Sequence, residues 1–461
     1  MDTVGNSERK KVLHKRLLAL SSPGQEASCS RRSKVPLAVS LALLPSIIIC
    51  YYPIPGPGLQ NLKDNAETEQ WRQILELLPL TIPFKYTLPI IDNGIYWERQ
   101  CLQRWPSSDI WRYNDNWKTM LIERVVQEAI ENFAPETSDF DELQHFLKAF
   151  KDYDYRLQIL KLQKIERKPF VVDLSLEDFD DLLDEFISKP EIHTSFLNLE
   201  KVLACLSNLN EFNFILTPSS MDPDSHQLSI PDFNSLLKGL CRLKNLKKFR
   251  CSNGVASNTQ VEILFRHFIT YSSLTELNMS YNFFDDKCCD SIGQLLLSKC
   301  PLQVLVLKYN RIADNGAIAI ASALSVNKML RKLDLSLNWI GDIGGEFLAK
   351  CLSANETIED LDLSNNKLEH QGGVAFAVVL ANLMHLRRLS LADNNIGEEA
   401  GKVFSTAAKG NLSILELDIK FCNFAPDDED VIHRCLMRNR MNLYSSEDES
   451  RKNSTASKYI I

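Results

Sequence analysis

The residues able to do chemistry in this chain are thinly spread. Its eight histidines (His14, His145, His193, His226, His267, His370, His385 and His433) stand far apart in the sequence. Its twelve cysteines include no CxxC pair and no histidine at zinc-ligand spacing, Cys288–Cys289 being the sole adjacent pair. Structural zinc motifs place such ligands at short, fixed intervals, so no metal site is expected. A chain of 461 residues needs no disulfide framework, and most of the cysteines read as small buried hydrophobes in a reducing compartment. No GxxxxGK[ST], HExxH or GxSxG pattern occurs, so neither a phosphate cradle nor a hydrolytic centre is expected, and no cofactor. What remains is the chemistry of recognition, in two groups. Lys332, Asp334, Asp360, Asp362 and Arg388 mix both charges over a short stretch. Trp97, Trp105, Trp111 and Trp117 are four of the chain's six tryptophans, at spacings of 8, 6 and 6. Neither a single helix face nor a strand alternation produces that interval.

The charged group is positioned by a repeat. LTELNMSYN ends at Asn282, LQVLVLKYN at Asn310, LRKLDLSLN at Asn338, IEDLDLSNN at Asn366 and LRRLSLADN at Asn394, each 28 residues after the last. The same interval places Cys422 after ILELDIKF and Gly254 after LKKFRCSN. LxxLxLxxN is the leucine-rich-repeat pattern. Leu333 and Leu335, two apart, face one way on a strand. The asparagine that follows can donate and accept, and so satisfies backbone where the chain bends. The second half of each unit, such as DNGAIAIASALSVN (314–327), has small residues at helical period. LNEFNFILT (209–217) reads as an earlier strand, followed by a polar insertion at 218–231 and a helix over 234–243. The expected fold is α/β: a ribonuclease-inhibitor-like leucine-rich-repeat horseshoe, strands on the concave face and helices on the convex one. The strand residues that alternate with the leucines, among them Lys332, Asp334, Asp360, Asp362 and Arg388, then lie on the concave face. They read either as a protein-binding strip or as a solvated face whose charges compensate. The sequons at Asn278, Asn355, Asn411 and Asn453 carry no weight without a secretory signal.

The flanks differ in texture. Net charge is −8, which argues against a nucleic-acid ligand. Residues 1–34 are nonetheless rich in Lys and Arg and read as a disordered arm. The apolar run VPLAVSLALLPSIIICYYP (35–53) is about 17 residues long and broken by Pro45. A membrane span needs about 20, so packing on a neighbour is expected rather than insertion. Further on, 116–133, one or two helices within 139–165, and 175–190 read as amphipathic helices. The sequence thus divides into a basic arm with the apolar segment (1–65), a helical Trp-rich domain (66–195), the repeats (196–440) and a disordered tail (441–461). The helical domain would cap the exposed first repeat. The four tryptophans read as its core, with part of the group available to a partner.

The stretch YWERQCLQRWPSSDIWRYNDNWKTMLIERVVQEAIENF carries Tyr96, Trp97, Arg99, Cys101, Trp105, Trp117, Lys118, Glu123 and Arg124. With the repeats and the closing IHRCLMRNR (432–440), it resembles the leucine-rich-repeat subunit of the nexin–dynein regulatory complex, the T-complex-associated testis-expressed family. That resemblance covers roughly 75–440 and leaves the first 65 residues unmatched. It implies a non-catalytic scaffold in the cytoskeleton of the ciliary or flagellar axoneme, one that links doublet microtubules and regulates dynein. Its implied partners are other subunits of that complex, with the microtubule doublets and dynein as further candidates. Two alternatives stay open on the same fold. One is a cytosolic inhibitor. The other is a small-GTPase regulator, because Ran GTPase-activating proteins place an arginine on a strand-exit loop and Arg311 follows Asn310 directly.

Overall fold

Each interval of 28 residues folds into one short strand and one helix. The computed structural model describes residues 56–107, 109–133, 140–152, 157–166, 198–217, 228, 230–253 and 257–456. The basic arm, the apolar run 35–53, the helix expected over 175–190 and position 254 lie outside them. The described residues form two compact units. One holds 56–165, 198–209 and 234–243; the other holds 166, 210–233 and 244–456.

In the first unit, helices Ile95–Arg104, Trp117–Glu131 and Phe140–Asp152 follow one another. Trp117–Glu131 begins where expected, because the Asn116 side chain accepts from the Thr119 N–H at 3.0 Å and so satisfies one of the free donors at the helix start. Within 139–165 the expectation of one or two helices holds only for the first half. Residues Ile159–Glu166 form a strand, β1. ILKLQKIE alternates, with Leu160 and Leu162 buried, and the two-residue period prevails over helix propensity.

The second unit is the repeat array. Strands β2 (Glu211–Thr217), β3 (Lys248–Ser252), β4 (Glu276–Asn278), β5 (Val304–Val306), β6 (Lys332–Asp334), β7 (Asp360–Asp362), β8 (Arg388–Ser390) and β9 (Glu416–Asp418) lie side by side in chain order, every neighbouring pair parallel. The register is exact in units of 28: Leu277, Leu305, Leu333, Leu361, Leu389 and Leu417 face one another across the sheet and are buried. Parallel neighbours require a crossover, and each is a helix packed on the leucine face: Asp314–Leu324, Asp342–Leu352, His370–Leu380 and Glu398–Gly410.

Three ladders of hydrogen bonds tie the repeats together. In the first, Asn338 Nδ2 donates to the carbonyls of Leu307 and Leu335, both at 3.0 Å, while its Oδ1 accepts from Ile312 N–H at 3.1 Å. Cys422 stands in the last such position, its Sγ 3.0 Å from the Leu391 carbonyl. The residue before each ladder position (Tyr281, Tyr309, Leu337, Asn365, Asp393, Phe421) has a φ of 54° to 61°. The chain turns there in the left-handed region, an uncommon conformation for side chains of this bulk, and the side-chain amide holds the turn.

A second ladder runs along the other edge. Asn327 donates to Leu296 O at 2.7 Å, Asn355 to Leu324 O at 2.8 Å and Asn411 to Leu380 O at 2.7 Å. Asn355 and Asn411, two of the sequon asparagines, are thus buried structural residues.

The third ladder caps helices across repeats. Asp314 Oδ1 accepts from the N–H groups of Gly341 (2.8 Å) and Gly344 (2.9 Å) at the start of the next helix. Asp342 does the same for Glu369 (2.7 Å) and Gly372 (2.9 Å). A helix N-terminus leaves four donors unpaired and carries partial positive charge, so a carboxylate there is doubly favoured.

The array closes with helix Pro426–Ala456. It runs through most of the stretch 441–461 read as a disordered tail. After Pro426 that sequence has no Gly or Pro to stop a helix.

Candidate protein-binding surfaces

The five charged residues do come together on the sheet face away from the helices. Lys332, Asp360, Arg388 and Glu416 are register partners on β6 to β9. Asp360 Oδ2 lies 2.9 Å from Lys332 Nζ and 3.7 Å from Arg388, whose Nε is 2.9 Å from Glu416. The row is a ladder of alternating sign, and such partly exposed pairs each contribute about 0–1 kcal/mol. Two residues along each strand the pattern changes. Asp334 and Asp362 are register partners, and each turns one oxygen inward. Asp334 Oδ1 accepts from Ser336 N–H at 3.0 Å and Oγ–H at 2.6 Å; Asp362 Oδ1 accepts from Ser364 at 2.9 and 2.6 Å. Among the described residues neither has an ion-pair partner. Adjacent strands are about 4.8 Å apart, so two carboxylates face solvent side by side without a counter-charge.

The tryptophans separate into different roles. Trp97 is fully buried, packs edge-on to Tyr96 at 5.0 Å and donates to Ile91 O at 3.3 Å. Trp105 is half-buried, donates to Glu128 Oε1 at 2.8 Å and carries the guanidinium groups of Arg104 and Arg124 at 5.6 and 5.2 Å from its ring. Trp117 is half-buried at the start of its helix. Trp111 is 69% exposed, with Arg112 over its ring at 5.0 Å.

Arg311 lies 5.6 Å from the Phe283 ring, beside an aromatic edge that sequence reading did not single out. Tyr281 stacks on Tyr309 at 4.8 Å, and Trp339, 49% exposed, carries Lys367 at 4.8 Å. The signal was available: all four rings lie within one residue of a ladder asparagine.

Several buried cysteines are held away from reactivity, whereas Cys241 is exposed. Burial pushes Cys300 up to about 11, and Cys101, Cys288 and Cys422 up to about 12, so few are thiolates near neutral pH. Among the described residues no group of His, Cys, Asp and Glu is placed to hold a metal ion. No described helix is long and apolar enough to cross a membrane.

Fold and face together define a leucine-rich-repeat protein. Profiles described as Leucine Rich repeat match residues 298–321, 326–349, 354–377 and 382–405, and a further Leucine Rich Repeat profile matches 273–295. Among individual proteins the chain is related to Dynein regulatory complex subunit 5. It is 27% identical to the Mus musculus protein over 258 residues, covering 54% of this chain and 50% of the relative. It is 25% identical to the Chlamydomonas reinhardtii protein over 192 residues, 42% of this chain and 43% of the relative. The match thus spans about half the length of these relatives. Among solved structures it resembles the tropomodulin C-terminal domain of Caenorhabditis elegans, with 16% identity, a TM-score of 0.28, and coverage of 41% of this chain and 97% of that one.

Proposed function

We propose that this protein is a non-catalytic scaffold subunit of the nexin–dynein regulatory complex of the axoneme. In this role it links doublet microtubules and regulates dynein-driven beating, in contact with other subunits of that complex. The observation that carries the reading is the relationship to Dynein regulatory complex subunit 5 over about half of the chain. The repeat face supplies the means: six strands locked in register present charges at fixed intervals. Asp334 and Asp362, side by side and unpaired, would take lysine or arginine from a partner. Trp111, the most exposed of the four tryptophans, would give a second attachment in the first unit, as an aromatic beside an arginine suits a contact hot spot. Two weak attachments held at once raise effective affinity by about 10²–10⁴.

The test is retention and capture. The protein should stay with demembranated axonemes through detergent and moderate salt, and affinity purification from ciliated cells should recover other subunits of the complex. Replacing Asp334, Asp360 and Asp362 together by Lys should weaken that capture while the circular dichroism stays native. Release with the detergent extract, or solubility before detergent is added, would overturn the axonemal reading. Capture unaffected by the triple substitution would remove the charged strip as its means.

A further inference from the structure

At the last repeats, where β8 and β9 meet the closing helix, lies a cavity of about 290 Å³ lined by Arg387, Arg388, Leu415, Glu416, Arg440 and Leu443. We propose that it is a binding pocket for carboxylate side chains presented by a glutamate-rich segment of a partner protein.

Three arginines line one small cavity in a chain whose net charge is −8, and they are not equivalent. Arg388 is already matched, by Glu416 at 2.9 Å and Asp360 at 3.7 Å. Glu416 is therefore committed to Arg388 and leaves the other two cations unneutralised. Arg387 donates once, to Ser413 O at 3.1 Å, and Arg440 donates once, from Nε to Leu415 O at 2.7 Å. Among the described residues neither has a carboxylate partner. A guanidinium carries five N–H donors in a fixed plane, so each is anchored by one backbone carbonyl and keeps most of its donors open. Arg438, nearby on the same helix, shows the contrast. Its donors go to the carbonyls of Lys409 (3.0 Å), Ala408 (3.3 Å) and Asn411 (2.7 Å), closing the end of the preceding helix. Arg438 is a structural cap, whereas Arg387 and Arg440 are oriented but unspent.

The walls specify the ligand further. Leu415 and Leu443 are half-buried and offer an apolar surface to the methylene stem of a glutamate, as long polar side chains bury their stems against such surfaces. Two open guanidinium forks match carboxylates in bidentate geometry. The volume lies at the lower limit of small-molecule pockets, about 300–1,000 Å³. It accommodates one or two side chains. A glutamate-rich peptide satisfies the charge, the apolar wall and the size together.

The experiment is fluorescence anisotropy of the full chain with a labelled hexaglutamate peptide. Binding should saturate, weaken with added salt, and fall at least tenfold in the Arg387→Gln/Arg440→Gln protein. The Arg387→Lys/Arg440→Lys protein keeps charge and a donor for the backbone carbonyls but loses the fork. It should fall less than the Gln pair, and it serves as the test if the Gln pair unfolds. Lys308→Gln/Arg311→Gln, on the same unit but away from the pocket, should leave binding unchanged. The proposal is overturned if hexaglutamate does not saturate, if the pocket variants bind like wild type, or if the distant pair loses as much. Tighter capture of a phosphoserine peptide or of inorganic phosphate would equally overturn it in favour of a phosphate site.

Discussion

Substituting Asp314 and Gly344, singly and together, isolates the cross-repeat cap. Asp314→Ala removes the acceptor for two helix-start N–H groups, those of Gly341 and Gly344. A bond to a charged group contributes about 1.5–3 kcal/mol when buried. Asp314 is only half-buried, and water replaces part of what is lost, so the expected cost is about 1–3 kcal/mol. Gly344→Ala acts from the other side. A Cβ there would lie 2.8 Å from Asp314 Oδ1 and 3.0 Å from both Ala317 Cβ and Ile340 Cγ2. Such crowding costs about 1–3 kcal/mol, against about 0.5–1 kcal/mol gained by replacing a helical glycine with alanine. Once the carboxylate is gone, the tightest of the three contacts is gone as well. The double variant should therefore be more stable than the sum of the singles by about 1 kcal/mol, well outside the roughly 0.3–0.5 kcal/mol scatter of independent sites. The chain contains its own precedent. Where His370 replaces the capping aspartate, the residue facing it one repeat later is Ala400 rather than glycine. Urea unfolding followed by far-UV circular dichroism gives the four stabilities. Strict additivity would refute the reasoning, since it would mean that the glycine column is not there to admit the carboxylate.

Asn338→Ala strands the Leu307 and Leu335 carbonyls and the Ile312 N–H in a site that is 3% exposed; it should cost about 1–3 kcal/mol, and Leu335→Ala about 2–5 kcal/mol, both read as lowered urea midpoints. Thiol labelling at pH 8 of the native protein with Cys29 and Cys50 changed to Ser should modify exposed Cys241 first. A thiol at about 12, such as Cys288, is then roughly 10⁻⁴ thiolate, and rapid labelling there would mean the helix layer opens.

How far the sequence revealed this structure depended on where each bonding partner lies. The leucines and ladder asparagines were legible because strand, turn and asparagine recur inside nine consecutive residues. The second asparagine ladder was hidden. Asn355 and Asn411 look like sequons, and their partners Leu324 and Leu380 lie 31 residues back. The aspartate caps were hidden for the same reason, the acceptor and the helix it caps being 27 to 30 residues apart. What approaches Gly316 was hidden as well: Asp286 Oδ1 would lie 2.5 Å from a Cβ there. β1 was missed because a short alternating run after a long helix reads as more helix. The tryptophans were legible as a group but not as individuals, since only packing distinguishes buried Trp97 from exposed Trp111.

In a repeat fold the residue type alone does not mark a binding residue, because the same types build the ladders. What distinguishes them is how much bonding capacity the fold has already used. Asp360 is shared between Lys332 and Arg388, and its charge is answered within the sheet. Asp314 and Asp342 are committed to the next helix. Asp334 and Asp362 are half-committed: one oxygen fixes the carboxylate through the following serine, and the other faces solvent beside a like charge. Arg387 and Arg440 are committed by a single bond each. A group held by one bond and open at the rest is preorganised, and it loses little side-chain entropy when a partner arrives. The acidic pair would take a basic side chain and the arginine pocket, shared between the sheet edge and the closing helix, an acidic one. A partner matching both would be fixed in direction as well as position, as the proposed scaffold role requires.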